Sequence, residues 1–217
     1  MTSHQAVEVR AGDAVVGADL RLPEDARAVI VFAHGSGSSR HSPRNQQVAR
    51  RLEGRGFGTM LVDLLTRDEE AIDARAGRLR FDIPLLAERL VAAVAWLDDG
   101  ARRTAAVGYF GASTGAAASL VASAQQGDRI GAIVSRGGRP DLAADALPAV
   151  LAPTLLIVGS LDETVVLLNQ QAYDRMLCER RMVVVPGATH LFQEPGALEQ
   201  VAGLAADWFD RYLAPAG

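Results

Sequence analysis

Short continuous apolar runs recur along the chain and are separated by longer stretches with helical spacing. Ala28–Ala33, Phe57–Val62, Thr104–Phe110, Ile130–Val134, Thr154–Val158 and Met182–Val185 are the apolar runs. Runs without polar alternation read as strands buried on both faces. Asn45–Glu53 carries Val48, Ala49 and Leu52 on one face. Pro84–Leu97, Ala116–Ala124, Val165–Cys178 and Gly196–Leu213 follow the same rule, with Leu204, Trp208 and Tyr212 along the last. Each predicts a helix, and Asp141–Val150 predicts a short one. Near the start, Val7–Val9 and Val15–Leu20 flank Gly12-Asp13, which predicts two short antiparallel strands and a tight turn. Thr66–Arg80 is polar and without period; as a β-to-α connection it is long enough to fold over a site. Strands alternating with helices define an α/β fold: a doubly wound, mostly parallel sheet of seven to eight strands. The pattern predicts a single domain over 1–217. The connection between the Ile130 and Thr154 strands is too short to hold a cap domain.

The chain has 217 residues, enough for one well-filled core. Its net charge of -4, with no basic block, counts against a nucleic-acid partner. All 22 Lys-plus-Arg positions are arginine. Without lysine there is neither a Walker A loop nor Schiff-base chemistry. Cys178 stands alone, so no disulfide framework or cysteine metal site is expected. It reads as a small hydrophobe on a helix. Met1–Gln5 lacks the basic and apolar regions of a secretory leader, and no apolar run approaches a bilayer span. A cytoplasmic protein with no membrane partner is the expectation. The histidines and acids show no clustered ligand spacing, so no metal and no cofactor are expected.

The candidate chemistry centres on Gly111-Ala112-Ser113-Thr114-Gly115, set between an apolar strand and a helix of small residues. Gly-x-Ser-x-Gly in that context reads as a nucleophile elbow, a strained turn that lifts the serine hydroxyl. Gly111 and Gly115 leave room for helix and strand to approach. A serine needs a base. Of the four histidines, His4 lies near the terminus, His34 in the turn after a strand and His41 at the start of a helix. His190 alone follows the last strand, downstream of Ser113 and Asp162. Asp162, at a strand end, is the acid that would fix the imidazole tautomer, and it could also cap the next helix. Asp141 is the alternative acid. Backbone N–H groups of Thr114 and of the His34-Gly35-Ser36 turn, Ser36 above all, would form the oxyanion hole, with Gly35 allowing close approach of substrate. Arg136 and Arg139, beside Gly137 and Gly138, are candidates to hold a substrate carboxylate bidentately. Arg44 and Asn45 are weaker candidates of the same kind. Trp96 and Trp208 read as helix-packing residues.

With these motifs in this order, the chain resembles the α/β-hydrolase superfamily, and within it the small, capless dienelactone-hydrolase-like enzymes. The resemblance spans nearly the whole chain, from His34-Gly35-Ser36 through the elbow and Gly159-Ser160-Leu161-Asp162 to Gly187-Ala188-Thr189-His190. It implies hydrolysis of a small-molecule ester or lactone through an acyl-enzyme, by a monomer or homodimer. Dienelactone hydrolases themselves use a cysteine nucleophile; Ser113 points instead to a general carboxylesterase. Thioester or peptide cleavage would be served by the same triad. A non-catalytic binding protein of this fold, or a nucleotide-binding protein cradling phosphate at Gly108–Gly115, are the other readings.

Overall fold

The structure is a computed structural model and describes residues 2–99 and 106–213. It contains an eight-stranded sheet in the order β1-β2-β4-β3-β5-β6-β7-β8. The strands are β1 (Thr2–Ala11), β2 (Ala14–Pro23), β3 (Ala28–Ala33), β4 (Gly58–Val62), β5 (Ala106–Ala112), β6 (Ile130–Arg136), β7 (Thr154–Gly159) and β8 (Arg180–Val185). β1 and β2 are antiparallel, as are β2 and β4; every other neighbouring pair is parallel. The strand order reverses beside β3, with β4 on one side and β5 on the other. Ligands of open α/β sheets bind at such a reversal, beyond the carboxyl ends of the strands.

Six helices cover the sheet: α1 (Pro43–Glu53), α2 (Arg67–Ala76), α3 (Ile83–Asp98), α4 (Thr114–Gln126), α5 (Glu163–Arg175) and α6 (Ala197–Tyr212). Two apolar cores follow from the strand period of two. Val29, Val31 and Ala33 of β3 face one way, packing with Leu86, Leu90 and Leu97 of α3 and Leu120 of α4. Ala28, Ile30 and Phe32 face the other way, joining Val48 and Leu52 of α1 and Val201, Ala205 and Phe209 of α6. Burying a side chain of that kind stabilises the fold by about 1.5–3 kcal/mol. The two layers hold β3 and β5 rigid at their carboxyl ends.

Several sequence expectations change. The first hairpin is longer than expected, because its polar ends continue the pairing from Thr2↔Pro23 to Ala11↔Ala14. His4 is therefore opposite Arg21 in a ladder. His41 precedes α1, which starts at Pro43 with Ser42 as N-cap. The Thr66–Arg80 segment is not a loop. Thr66 and Glu69 form a reciprocal capping box that starts α2, and Gly77 ends it at φ 62°. Residues 141–150 form two 3-10 turns, Pro140–Ala143 and Leu147–Ala149, in place of a helix; Pro148 lacks the N–H that a helix there would need. Cys178 lies past the end of α5, half-buried. Gly100 and the first residues of the expected Thr104–Phe110 strand lie outside the described residues.

Candidate active site

Ser113 lies between β5 and α4 with φ 51° and ψ -120°, a conformation L-residues rarely adopt. Its carbonyl accepts hydrogen bonds from Ala116 N–H and Arg139 N–H, both at 3.1 Å, and its own N–H donates to Arg136 O at 3.2 Å. The surrounding backbone thus fixes the strain. A Cβ at Gly111 would lie 2.8 Å from Ala116 N, and one at Gly115 would lie 2.7 Å from the Ala33 carbonyl carbon. Both glycines are sterically required, as the motif reading expects.

β7 and β8 end side by side, and their turns are joined. Ser160 N–H donates to Val185 O and Leu161 N–H to Ala188 O, each at 3.0 Å. Ser160 Oγ accepts from Gly187 N–H at 2.8 Å. This brings Asp162 Oδ2 to 2.6 Å from His190 Nδ1, while Ser113 and His190 line the same small cavity. Asp162 makes no side-chain cap to α5. Asp141, the alternative acid, is engaged elsewhere, accepting from Arg139 Nε and Nη2 at 2.8 Å each.

The turn after β3 passes close to the serine. A Cβ at Gly35 would stand 3.1 Å from Ser113 Cβ. Ser36 lines the cavity beside Ser113, and Thr114 is the first residue of α4, so its N–H has no acceptor within the helix. His34 holds the turn in place: Nε2 accepts from Leu64 N–H at 3.1 Å, and Nδ1 lies 2.9 Å from Gly35 O. Those contacts require the neutral Nδ1–H tautomer. Burial pushes the His34 pKa below its ordinary value, against smaller opposing effects of Gly35 O and Asp63.

Two cavities meet at this turn. The one containing Ser113 and His190 measures about 190 Å³ and is also lined by Arg44, Asn45 and Arg136. The other measures about 530 Å³ and is bounded by Leu64, Leu65, Leu86 and by Glu70, Asp73 and Arg80 of the α2 region. Gly35, Ser36, Ser38 and Ser42 belong to both. Ser113 and His190 line the smaller cavity, whereas Thr114 lines the larger one. Asp73, which is buried, holds Arg80 through Nε at 2.5 Å. The sequence reading expected Thr66–Arg80 to be able to fold over a site but missed its helix, although Thr66-Arg67-Asp68-Glu69 carries the capping-box pattern.

The two arginine candidates separate. Arg139 is bound bidentately to Asp141 through Nε and Nη2. Arg136 is only 6% exposed, and its Nε has no hydrogen-bond partner. Burial, and secondarily the charge of Arg44, push its pKa down to about 10. Its guanidinium lies 5.9 Å from the Phe192 ring centre. Gly137 and Gly138 serve packing: a Cβ at Gly137 would lie 3.1 Å from His190 O, and one at Gly138 would lie 2.7 Å from Ala116 Cβ. Among the described residues, no group of three or more His, Cys, Asp or Glu side chains could hold a metal ion, and no helix is long and apolar enough to cross a membrane.

A mostly parallel eight-stranded sheet with a strained serine beyond β5 and no cap defines an α/β-hydrolase fold. A model of the dienelactone hydrolase family matches residues 16–213, and the chain belongs to that family. It is similar to a dienelactone hydrolase of Anabaena variabilis, at 51% identity and a TM-score of 0.95 over 97% of this chain and 98% of the other. An esterase of Pyrococcus furiosus shares the fold, with a TM-score of 0.79 at 16% identity over 98% of this chain and 92% of the other. A Mycobacterium tuberculosis protein whose name proposes a phosphoribosyl transferase is 54% identical over 97% of this chain, which spans 47% of that protein.

Proposed function

We propose that the chain is a serine hydrolase of small carboxylic esters or lactones, with Ser113 as nucleophile, His190 as base and Asp162 as the group that orients the imidazole. The observation that carries this reading is the meeting of a strained Ser113 with His190 in one cavity, His190 being bonded to Asp162 at 2.6 Å. His190 Nε2 takes the hydroxyl proton as Ser113 Oγ bonds to the substrate carbonyl carbon. The tetrahedral oxyanion accepts hydrogen bonds from the N–H groups of Thr114 and Ser36. Collapse breaks the bond to the leaving oxygen, which receives the proton from His190. Water then repeats the sequence on the acyl-enzyme and restores Ser113. Asp162 holds the proton on Nδ1 and stabilises the transient imidazolium. A serine in place of the cysteine of dienelactone hydrolases favours a general carboxylesterase.

The test is fluorophosphonate labelling read by mass spectrometry, together with turnover of p-nitrophenyl acetate and butyrate. A single adduct on Ser113, turnover abolished in Ser113→Ala, and kcat lowered roughly 10⁴-fold in Asp162→Asn are expected. Turnover that survives Ser113→Ala would refute the assignment.

A further inference from the structure

The small cavity beside Ser113 is positive on every side that carries charge. α1 begins at its edge, with Ser42 Oγ accepting from Asn45 N–H at 3.3 Å. Pro43 has no N–H and Ser42 takes that of Asn45, so this helix start leaves the Arg44 N–H without a helical acceptor, together with the positive end of the helix dipole. A first turn of that kind is stabilised by an acidic side chain, yet α1 has none there and carries Arg44 instead. Arg44 and Arg136 both line the cavity, and neither forms an ion pair among the described residues. No aspartate or glutamate lines it. Arg136 is only 6% exposed, and its Nε is buried and unpartnered. A buried guanidinium without a protein partner, beside a second unpaired arginine on the same cavity, is costly unless an anion occupies it.

We propose that Arg136, Arg44 and the N-terminus of α1 form a phosphate subsite, so that the ester or lactone cleaved at Ser113 carries a phosphate monoester. The proposal rests on the reading of Ser113, His190 and Asp162 given above. Charge selects phosphate over carboxylate. A carboxylate would balance one guanidinium and leave the other beside it uncompensated. A phosphate monoester carries about -1.5 to -2 near neutral pH and three acceptor oxygens, enough for both arginines and the helix end. The cavity of about 190 Å³ has the liquid volume of about six waters, room for that group and a reacting carbonyl. The phosphate is a handle: no bond to phosphorus changes.

The experiment titrates inorganic phosphate into the protein, read by calorimetry and thermal shift, with succinate as the carboxylate comparison. Wild type, Arg136→Met, Arg44→Ala and Ser113→Ala are compared. Phosphate is expected to bind wild type and Ser113→Ala, to bind each arginine variant at least tenfold more weakly, and to exceed succinate in affinity. Arg44 lies on a partly exposed helix turn, so its variant keeps the test open if Arg136→Met fails to fold. Phosphate affinity in either arginine variant equal to that of wild type, no binding to wild type, or succinate binding as tightly as phosphate would overturn the proposal. Ser113→Ala separates this proposal from the one it rests on. Phosphate bound there, with wild type unable to hydrolyse any ester, would support the subsite and remove the serine-hydrolase reading.

Discussion

Replacing Arg136 with methionine is expected to make the free protein more stable. The perturbation removes a guanidinium that is 6% exposed and has no ion-pair partner. Its pKa, pushed down to about 10 by burial and then by Arg44, measures the cost of holding the charge in the folded state: about 3 kcal/mol. The variant also loses the contact with the Phe192 ring at 5.9 Å, worth about 0.5–1 kcal/mol. Methionine is unbranched and flexible enough to fill much of the vacated space. The net gain is about 2 kcal/mol, which in a chain of this size raises Tm by about 4–8 °C. Calorimetry in a phosphate-free buffer checks it. A fall in Tm would refute the reasoning, because it would mean that Arg136 is already satisfied inside the protein. Added phosphate is expected to narrow the gap by stabilising only the wild type. A substitution that stabilises the empty protein while weakening its ligand is the usual sign of a residue retained for function.

Two further predictions concern the elbow and its supporting turn. Gly115→Ala is expected to destabilise the protein by about 1–3 kcal/mol in urea unfolding. Its Cβ would lie 2.7 Å from the Ala33 carbonyl carbon, and the favourable helix propensity of alanine cannot offset that clash; a more stable variant would show that α4 and β3 are not so close. For His34, burial depresses the folded pKa below the ordinary 6.5. Above 6.5 the ring is neutral in folded and unfolded states alike. As pH falls below 6.5 the unfolded chain takes up the proton first, and stability declines until the folded pKa is reached. His34→Asn is expected to flatten that decline; urea midpoints that vary with pH equally in both proteins would show that His34 is not its source.

The elbow was legible in the sequence because its requirements are local. Glycine at 111 and 115 and serine at 113 answer to contacts within a few residues or with the adjoining strand. The parallel strands were legible because β3, β4 and β7 are buried along their whole length. α2 was not legible, since its one large apolar side chain, Ile72, is 60% exposed while Asp73 is buried. A helix that turns a carboxylate inward and an isoleucine outward has no apolar stripe to detect, and only its capping box marks it. Arg139 and Arg136 looked equivalent in sequence. Asp141, two residues from Arg139, claims one of them, whereas the meeting of Arg136 with Arg44 and Asn45 depends on how β6 and α1 pack.

The turn from Gly35 to Ser42 is a wall common to two chambers, and its two faces answer to different parts of the chain. Behind the face with Ser113 stand β5, β6 and the turns after β7 and β8. The other face looks onto α2 and Arg80, fastened by Asp73 and by the Thr66–Glu69 cap. Substitutions between residues 66 and 80 therefore reshape a chamber that Ser113, Asp162 and His190 do not line. Such a division leaves selectivity free to drift while reactivity stays fixed.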